Sequence, residues 1–120
     1  MARMLLVEDN EMNSDLVKIL VEASGHECVA VEDGPGAIAS VETEKFDLIL
    51  LDIQLPKMDG YAVLKELKRI TPQTPVIAVS SYAMVGDAKR ALDAGFDGYI
   101  SKPIVAETFI AQVLQAAKLE

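Results

Sequence analysis

Four apolar runs in this chain lead directly into polar residues of complementary chemistry. Glu8-Asp9 follows Met4-Leu5-Leu6-Val7, Asp52 follows Leu48-Ile49-Leu50-Leu51, Ser80 follows Val76-Ile77-Ala78-Val79, and Lys102-Pro103 follows Gly98-Tyr99-Ile100-Ser101. A carboxylate at the end of a buried run costs free energy unless a cation meets it, and Asp52 sits at the end of the most central-looking run. Three carboxylates gathered in one crevice repel one another, which implies a bound cation. The donor set suits Mg²⁺, which takes one or two carboxylates, retained waters and phosphate oxygens; Zn²⁺ would call for His or Cys ligands. Lys102 and Ser80 add a positive charge and a hydroxyl that can hold phosphoryl oxygens. Singly, each residue has an ordinary reading: Asp9 or Asn10 as helix N-terminal groups, Ser80 as a turn residue, Lys102 as a solvated cation. The ordered set is far more specific than any member.

Positioning these residues together requires strands that run in one direction. The apolar runs lack polar alternation, as strands covered on both faces do, with Cys28 to Val31 and Gly98 to Ser101 as weaker strand candidates. Helical stripes lie between and after them: Met12, Leu16, Ile19, Leu20 and Ala23; Tyr61, Val63, Leu64 and Leu67; and Phe109, Ile110, Val113, Leu114 and Ala117. Gly25 and Gly95 stand where helix C-caps belong, and Pro75 precedes a strand. The repeated strand-helix order predicts an α/β domain, a parallel sheet with helices on both faces. Ligands of such sheets bind beyond the carboxyl ends of the strands, where the polar residues lie.

The bulk properties agree. The chain has 120 residues, 51% of them hydrophobic, enough for one core without disulfides or structural metals. A net charge of −8 disfavours nucleic-acid and anionic-membrane partners, which require a positive field. Cys28, the single cysteine, lies in an apolar stretch and reads as a buried thiol of a cytoplasmic protein; His26, the single histidine, reads as a solvated loop residue. No leader-like or membrane-spanning run is evident.

The segments Val7-Glu8-Asp9-Asn10, Leu51-Asp52-Ile53-Gln54-Leu55-Pro56-Lys57-Met58-Asp59-Gly60, Ala78-Val79-Ser80 and Gly98-Tyr99-Ile100-Ser101-Lys102-Pro103 resemble the receiver domain of bacterial two-component response regulators. The resemblance spans essentially residues 1–120. It extends to single-domain cell-cycle regulators through Val7 to Glu11, Ala83-Met84, Gly86-Asp87 and Tyr99 to Ile104. It implies a five-stranded flavodoxin-like sheet in the order 2-1-3-4-5 and no output domain. It further implies a phosphorylated Asp52 and a Mg²⁺ site from Asp9, Asp52 and the Gln54 backbone carbonyl, with Glu8 acting through water. Ser80 and Lys102 would hold the phosphoryl group, Tyr99 would rotate with the state of Ser80, and a cis bond would join Lys102 to Pro103. Gln54 and Tyr82 occupy positions that tune autodephosphorylation in the family. The expected phosphodonor is a histidine kinase or histidine phosphotransfer protein. The expected downstream protein docks on the surface from Ala83 to Arg90, Tyr99 and the last helix. Such a protein catalyses its own phosphorylation and dephosphorylation without being an enzyme for another substrate.

Three competitors remain at this level. A receiver excised from a hybrid histidine kinase or a larger regulator would carry the same residues. An aspartyl-nucleophile phosphatase would place a second Asp two residues after its nucleophile, where this chain has Gln54, and would need length for a substrate-binding cap. A flavodoxin-like carrier would need a phosphate loop after the first strand, where Glu8-Asp9 would repel FMN.

Overall fold

A computed structural model describes residues 1–81 and 86–119 of the chain. Five strands, β1 (Arg3–Val7), β2 (Glu27–Val31), β3 (Leu48–Asp52), β4 (Val76–Ser80) and β5 (Gly98–Ser101), alternate with five helices. These are α1 (Glu11–Ala23), α2 (Gly34–Thr43), α3 (Gly60–Ile70), α4 (Asp87–Ala94) and α5 (Ala106–Ala116). All strand pairings are parallel, and the sheet order is β2-β1-β3-β4-β5.

The unbroken apolar strands divide their residues between two cores, because successive side chains point to opposite faces. Met4, Leu6, Leu48, Leu50, Ile77 and Val79 pack with Val17 and Val21 of α1 and Phe109, Val113 and Leu114 of α5. Leu5, Val7, Ile49, Leu51, Val76 and Ala78 pack with Ala37 and Val41 of α2, Val63, Leu64 and Leu67 of α3 and Ala91 of α4. Every residue of β3 and β4 is buried, so the ends of these strands carry polar groups into a largely dry setting.

The α1 stripe differs from its sequence-based expectation. Met12 and Ile19 are 82% and 63% exposed and Leu16 is 38% exposed, whereas the neighbouring face, Val17 and Val21, is buried. One helical position is about 100° of rotation, and two apolar stripes lie side by side here; the compact β-branched pair meets the sheet, with Leu20 packed at its border. The α2 helix, which had no individual sequence-based expectation, starts from Asp33, whose carboxylate accepts from the Gly36 N–H at 2.9 Å. His26 also departs from the solvated reading: its Nδ1 accepts the Ala2 N–H at 2.8 Å, tying the chain start to the α1–β2 turn. Cys28 is buried as expected, and burial pushes its thiol up to about 11.

The β3–α3 loop is pinned close to the sheet. Gly60 N–H donates to the Ile53 carbonyl at 2.9 Å, and a Cβ at position 60 would stand 2.5 Å from the Ile53 Cα. Backbone cannot yield as a flexible side chain can, so Gly60→Ala should cost about 1–3 kcal/mol of stability in urea unfolding. A wild-type midpoint in that variant would contradict this close-approach role.

Candidate functional site

The polar crevice is built from the carboxyl ends of β1, β3, β4 and β5. The Glu8 N–H completes the ladder by donating to the Val31 carbonyl at 3.0 Å, which fixes where β1 ends. Asn10, not Asp9, caps α1: its side-chain oxygen accepts from the Asn13 N–H at 3.0 Å. This leaves the exposed Asp9 carboxylate at the crevice, where Glu8, Asp9 and Asp52 offer oxygens all within 4.8 Å of one another.

Asp52 and Glu8 are only 4% and 5% exposed, and each splits its two oxygens the same way. Asp52 Oδ1 accepts from the Gln54 N–H at 2.9 Å, and Oδ2 accepts from Lys102 Nζ at 3.0 Å. Glu8 Oε2 accepts from the Asn10 N–H at 3.2 Å, and Oε1 accepts from Lys102 Nζ at 2.9 Å. Lys102 is held at the end of β5 because its own N–H donates to the Ser80 carbonyl at 2.7 Å. The following peptide bond to Pro103 is cis.

One ammonium therefore faces two buried carboxylates, with Asp9 beside them. Burial pulls the Lys102 ammonium down, but the hydrogen bonds and charges of Glu8 and Asp52 outweigh it and hold it above its usual range. Burial dominates for Glu8 and raises its carboxyl; Asp52 adds repulsion, while Lys102 and the Asn10 N–H pull the other way. The excess of negative charge and the all-oxygen donor set fit a hard divalent cation.

Ser80 is fully buried at the end of β4, on the sheet face that carries α3 and α4. A cavity of about 40 Å³ is lined by Ser80, Tyr99, Ile53, Tyr61, Asp87 and Arg90. The Arg90 guanidinium lies 4.9 Å from the Tyr61 ring centroid, and Tyr61 packs edge-on against Phe96. Thus the structure brings Glu8, Asp9, Asp52 and Lys102 into one cluster and puts Ser80 and Tyr99 together behind it. Tyr82 and the residues from Ala83 to Val85 of the expected docking surface lie outside the described residues.

Two contacts at the rim had no signal in the sequence. Ser81 Oγ donates to Gln54 Oε1 at 2.5 Å, and Lys57 Nζ, on a residue with φ 66°, meets Asp33 Oδ2 at 3.1 Å. Both join loops that follow different strands, so strand assignment alone does not pair them. The Ser80-Ser81 dipeptide offers a hint only once the direction of β4 is known.

The model of the response regulator receiver domain matches residues 4–114. The polar-differentiation response regulator DivK of Brucella anthropi is 43% identical over 111 residues, spanning 91% of this chain and 90% of that protein. The sensor protein GacS of Pseudomonas syringae pv. syringae is 40% identical over 117 residues, spanning 93% of this chain and 13% of that protein. Among solved structures, the receiver domain of the sensor histidine kinase PA1611 of Pseudomonas aeruginosa PAO1 aligns with a TM-score of 0.87 and 30% identity over 98% of both chains; it is described with a magnesium ion coordinated in its active-site cleft. A CheY-like receiver from Methanospirillum hungatei JF-1 aligns with a TM-score of 0.89 and 29% identity over 99% of this chain and 95% of that one. With the parallel 2-1-3-4-5 sheet and the acidic crevice beyond its strands, these matches lead to one assignment: the chain belongs to the response regulator receiver domains.

Proposed function

We propose that this receiver accepts a phosphoryl group on Asp52 from the phosphohistidine of a histidine kinase or histidine phosphotransfer protein, and that phosphorylation changes which protein it binds. The observation that carries the proposal is the Lys102 ammonium shared by the buried Asp52 and Glu8 carboxylates, with Asp9 alongside. Asp9, Asp52 and the Gln54 backbone carbonyl would hold Mg²⁺, with Glu8 contributing through water; the ion would supply neutralisation of phosphoryl charge. The Asp52 oxygen forms the new bond to phosphorus as the bond to the donor imidazole nitrogen breaks. Lys102, already positioned between two carboxylates, turns toward the added oxygens, and the Ser80 hydroxyl supplies a further donor.

A phosphodonor must bring its imidazole to this crevice, so its footprint includes residues that border it. The exposed Met12 lies in the first turn of α1, just after the crevice residues Glu8 and Asp9 in the chain, and Leu16 and Ile19 continue an apolar row along the helix. Output is assigned to the opposite side of the cluster. Movement of Ser80 toward the phosphoryl group would vacate space beside the 40 Å³ cavity for the Tyr99 ring, altering the surface formed by α4, β5 and α5. A coupling of about 1–3 kcal/mol gives a 5–150-fold change in affinity, within reach of such a small repacking.

The DivK match, which spans 90% of that protein, supports a receiver acting as a separate cytoplasmic protein without an output domain. The GacS match, which spans 13% of its partner, supports the second reading, a receiver segment of a hybrid kinase. The size of the native polypeptide on an immunoblot distinguishes the two.

Acetyl phosphate with Mg²⁺ should add one phosphoryl group to the wild-type chain and none to Asp52→Asn, as read by intact mass. Undiminished phosphorylation of Asp52→Asn would refute the assignment.

The ligand roles make a paired prediction. Asp9→Asn should weaken Mg²⁺ binding by about tenfold or more, since even outer-shell groups are worth about 10–100-fold in metal affinity. Glu8→Gln should also weaken Mg²⁺ binding while raising the metal-free unfolding midpoint at pH 7, because burial opposes the Glu8 charge. The sign follows from its raised folded-state pKa: the charge costs stability above the ordinary value of 4.5, increasingly so as pH rises through the folded value, and costs nothing below it. The midpoints of wild type and Glu8→Gln should therefore converge in acid. A Glu8→Gln midpoint below wild type at pH 7, or unchanged Mg²⁺ affinity in Asp9→Asn, would contradict these roles.

For output, the phosphoryl mimic beryllofluoride should shift amide resonances from Gly86 through Tyr99 as well as those around Asp9 and Asp52. Shifts confined to the acidic crevice would exclude the Ser80–Tyr99 route.

A further inference from the structure

A polar bridge crosses between the two loops that leave β3 and β4. Ser81 Oγ donates to Gln54 Oε1 at 2.5 Å, while the Gln54 backbone N–H holds Asp52 Oδ1 at 2.9 Å. Ser81 is exposed and Gln54 half-buried, so the bridge lies at the solvent edge of the crevice, one residue beyond the fully buried Ser80. Resting on the phosphorylation of Asp52 proposed above, we propose that Ser81 is a positioning residue that lengthens the life of the phosphoryl group by fixing the direction of the Gln54 carboxamide.

The step it governs is hydrolysis. A water oxygen forms a bond to phosphorus, the bond from phosphorus to the Asp52 oxygen breaks, and Asp52 leaves with the electron pair as a carboxylate. The two water protons depart with the phosphate as dihydrogen phosphate, which then equilibrates with the solvent. A glutamine carboxamide oxygen near a phosphoryl group can orient the attacking water by accepting one of its protons in a hydrogen bond. Gln54 is two residues from Asp52 and long enough to serve this way, but its carbonyl oxygen is turned toward Ser81. Loss of the Ser81 hydroxyl releases the carboxamide to rotate toward the incoming water. The bond joins two side chains at the surface, outside both hydrophobic cores.

The test follows the decay of the phosphorylated protein by intact mass after removal of acetyl phosphate, at fixed Mg²⁺. Wild type, Ser81→Ala, Ser81→Thr, Gln54→Ala and the Ser81→Ala/Gln54→Ala double variant are compared. Gln54→Ala keeps the backbone carbonyl assigned to the metal. Ser81→Ala should shorten the lifetime by about 2–10-fold, the range that one neutral hydrogen bond supports. Ser81→Thr, which restores a hydroxyl, should return it toward wild type, and Ser81→Ala should have no further effect when Gln54 is absent. An unchanged lifetime in Ser81→Ala overturns the inference, whether or not its melting midpoint moves. So does an equal shortening with and without Gln54, because Ser81 would then act through something else. If the wild type takes up no phosphoryl group, the Asp52 assignment itself falls and this inference with it, a result distinct from the other two.

Discussion

The Lys102 ammonium is the point at which the architecture and the chemistry meet. Its partners Glu8 and Asp52 are 94 and 50 residues away in the chain, and both are almost fully buried. Removing the Lys102 ammonium would leave two buried carboxylates without compensation, a cost of about 3–5 kcal/mol in comparable pairs. The cluster therefore constrains three strand ends at once: β1 must stop at Glu8, β3 must carry Asp52 to its edge, and β5 must deliver Lys102 across β4. The Lys102 N–H bond to the Ser80 carbonyl continues the β4–β5 ladder to that point. A single ammonium against three carboxylates also leaves the crevice short of positive charge, which is the condition under which a divalent cation and a phosphoryl group can enter together.

The strands and the clustering of the polar residues at their ends were legible because two independent patterns coincided. Uninterrupted apolar runs such as Leu48-Ile49-Leu50-Leu51 mark strands covered on both faces, and the polar residue that ends each run marks the edge where ligands bind. Apolar periodicity was less decisive for α1, where Met12, Leu16 and Ile19 compete with Val17 and Val21 for the core. Hydrophobicity does not separate the two sets; which face meets the sheet depends on how α1 sits beside α5, a tertiary fact. Helix α2 contains Gly-Pro-Gly in its first turn and a weak apolar stripe, so its local sequence says little until the Asp33 cap is seen. His26 was misread for a related reason. Its role is to accept one backbone N–H from residue 2, and a contact spanning 24 residues has no local signature.

The two faces of the sheet separate Asp52 from the Ser80–Tyr99 pair, which the proposed function treats as acceptor and reporter. By strand alternation Asp52 follows Leu48 and Leu50 toward the α1–α5 side, whereas Ser80 follows Val76 and Ala78 toward α3 and α4. A phosphoryl group on Asp52 that recruits the Ser80 hydroxyl thus acts across the sheet edge, joining the two faces at one place. The Ser80–Tyr99 cavity lies on the α3–α4 side, away from the charged cluster.

The anchoring of the helices then decides which of them can respond. Helix α3 buries Gly60, Val63, Leu64 and Leu67 and is capped by Asp59, whose carboxylate accepts from both the Tyr61 and Ala62 N–H groups. Helix α4 buries only Ala91, has no side-chain cap, and begins and ends at the left-handed Gly86 and Gly95. It is held to α3 in part by Arg90 over the Tyr61 ring, an exposed cation–π contact of about 0.5–1 kcal/mol. A stabilisation that small is comparable to the coupling a switch requires, so in the proposed switch α4, rather than α3, is the helix that repacking around Ser80 and Tyr99 would shift. Under the proposed function the light anchoring of α4 would matter, because a better buried, better capped helix would cost more to move than phosphorylation could supply through a few hydrogen bonds.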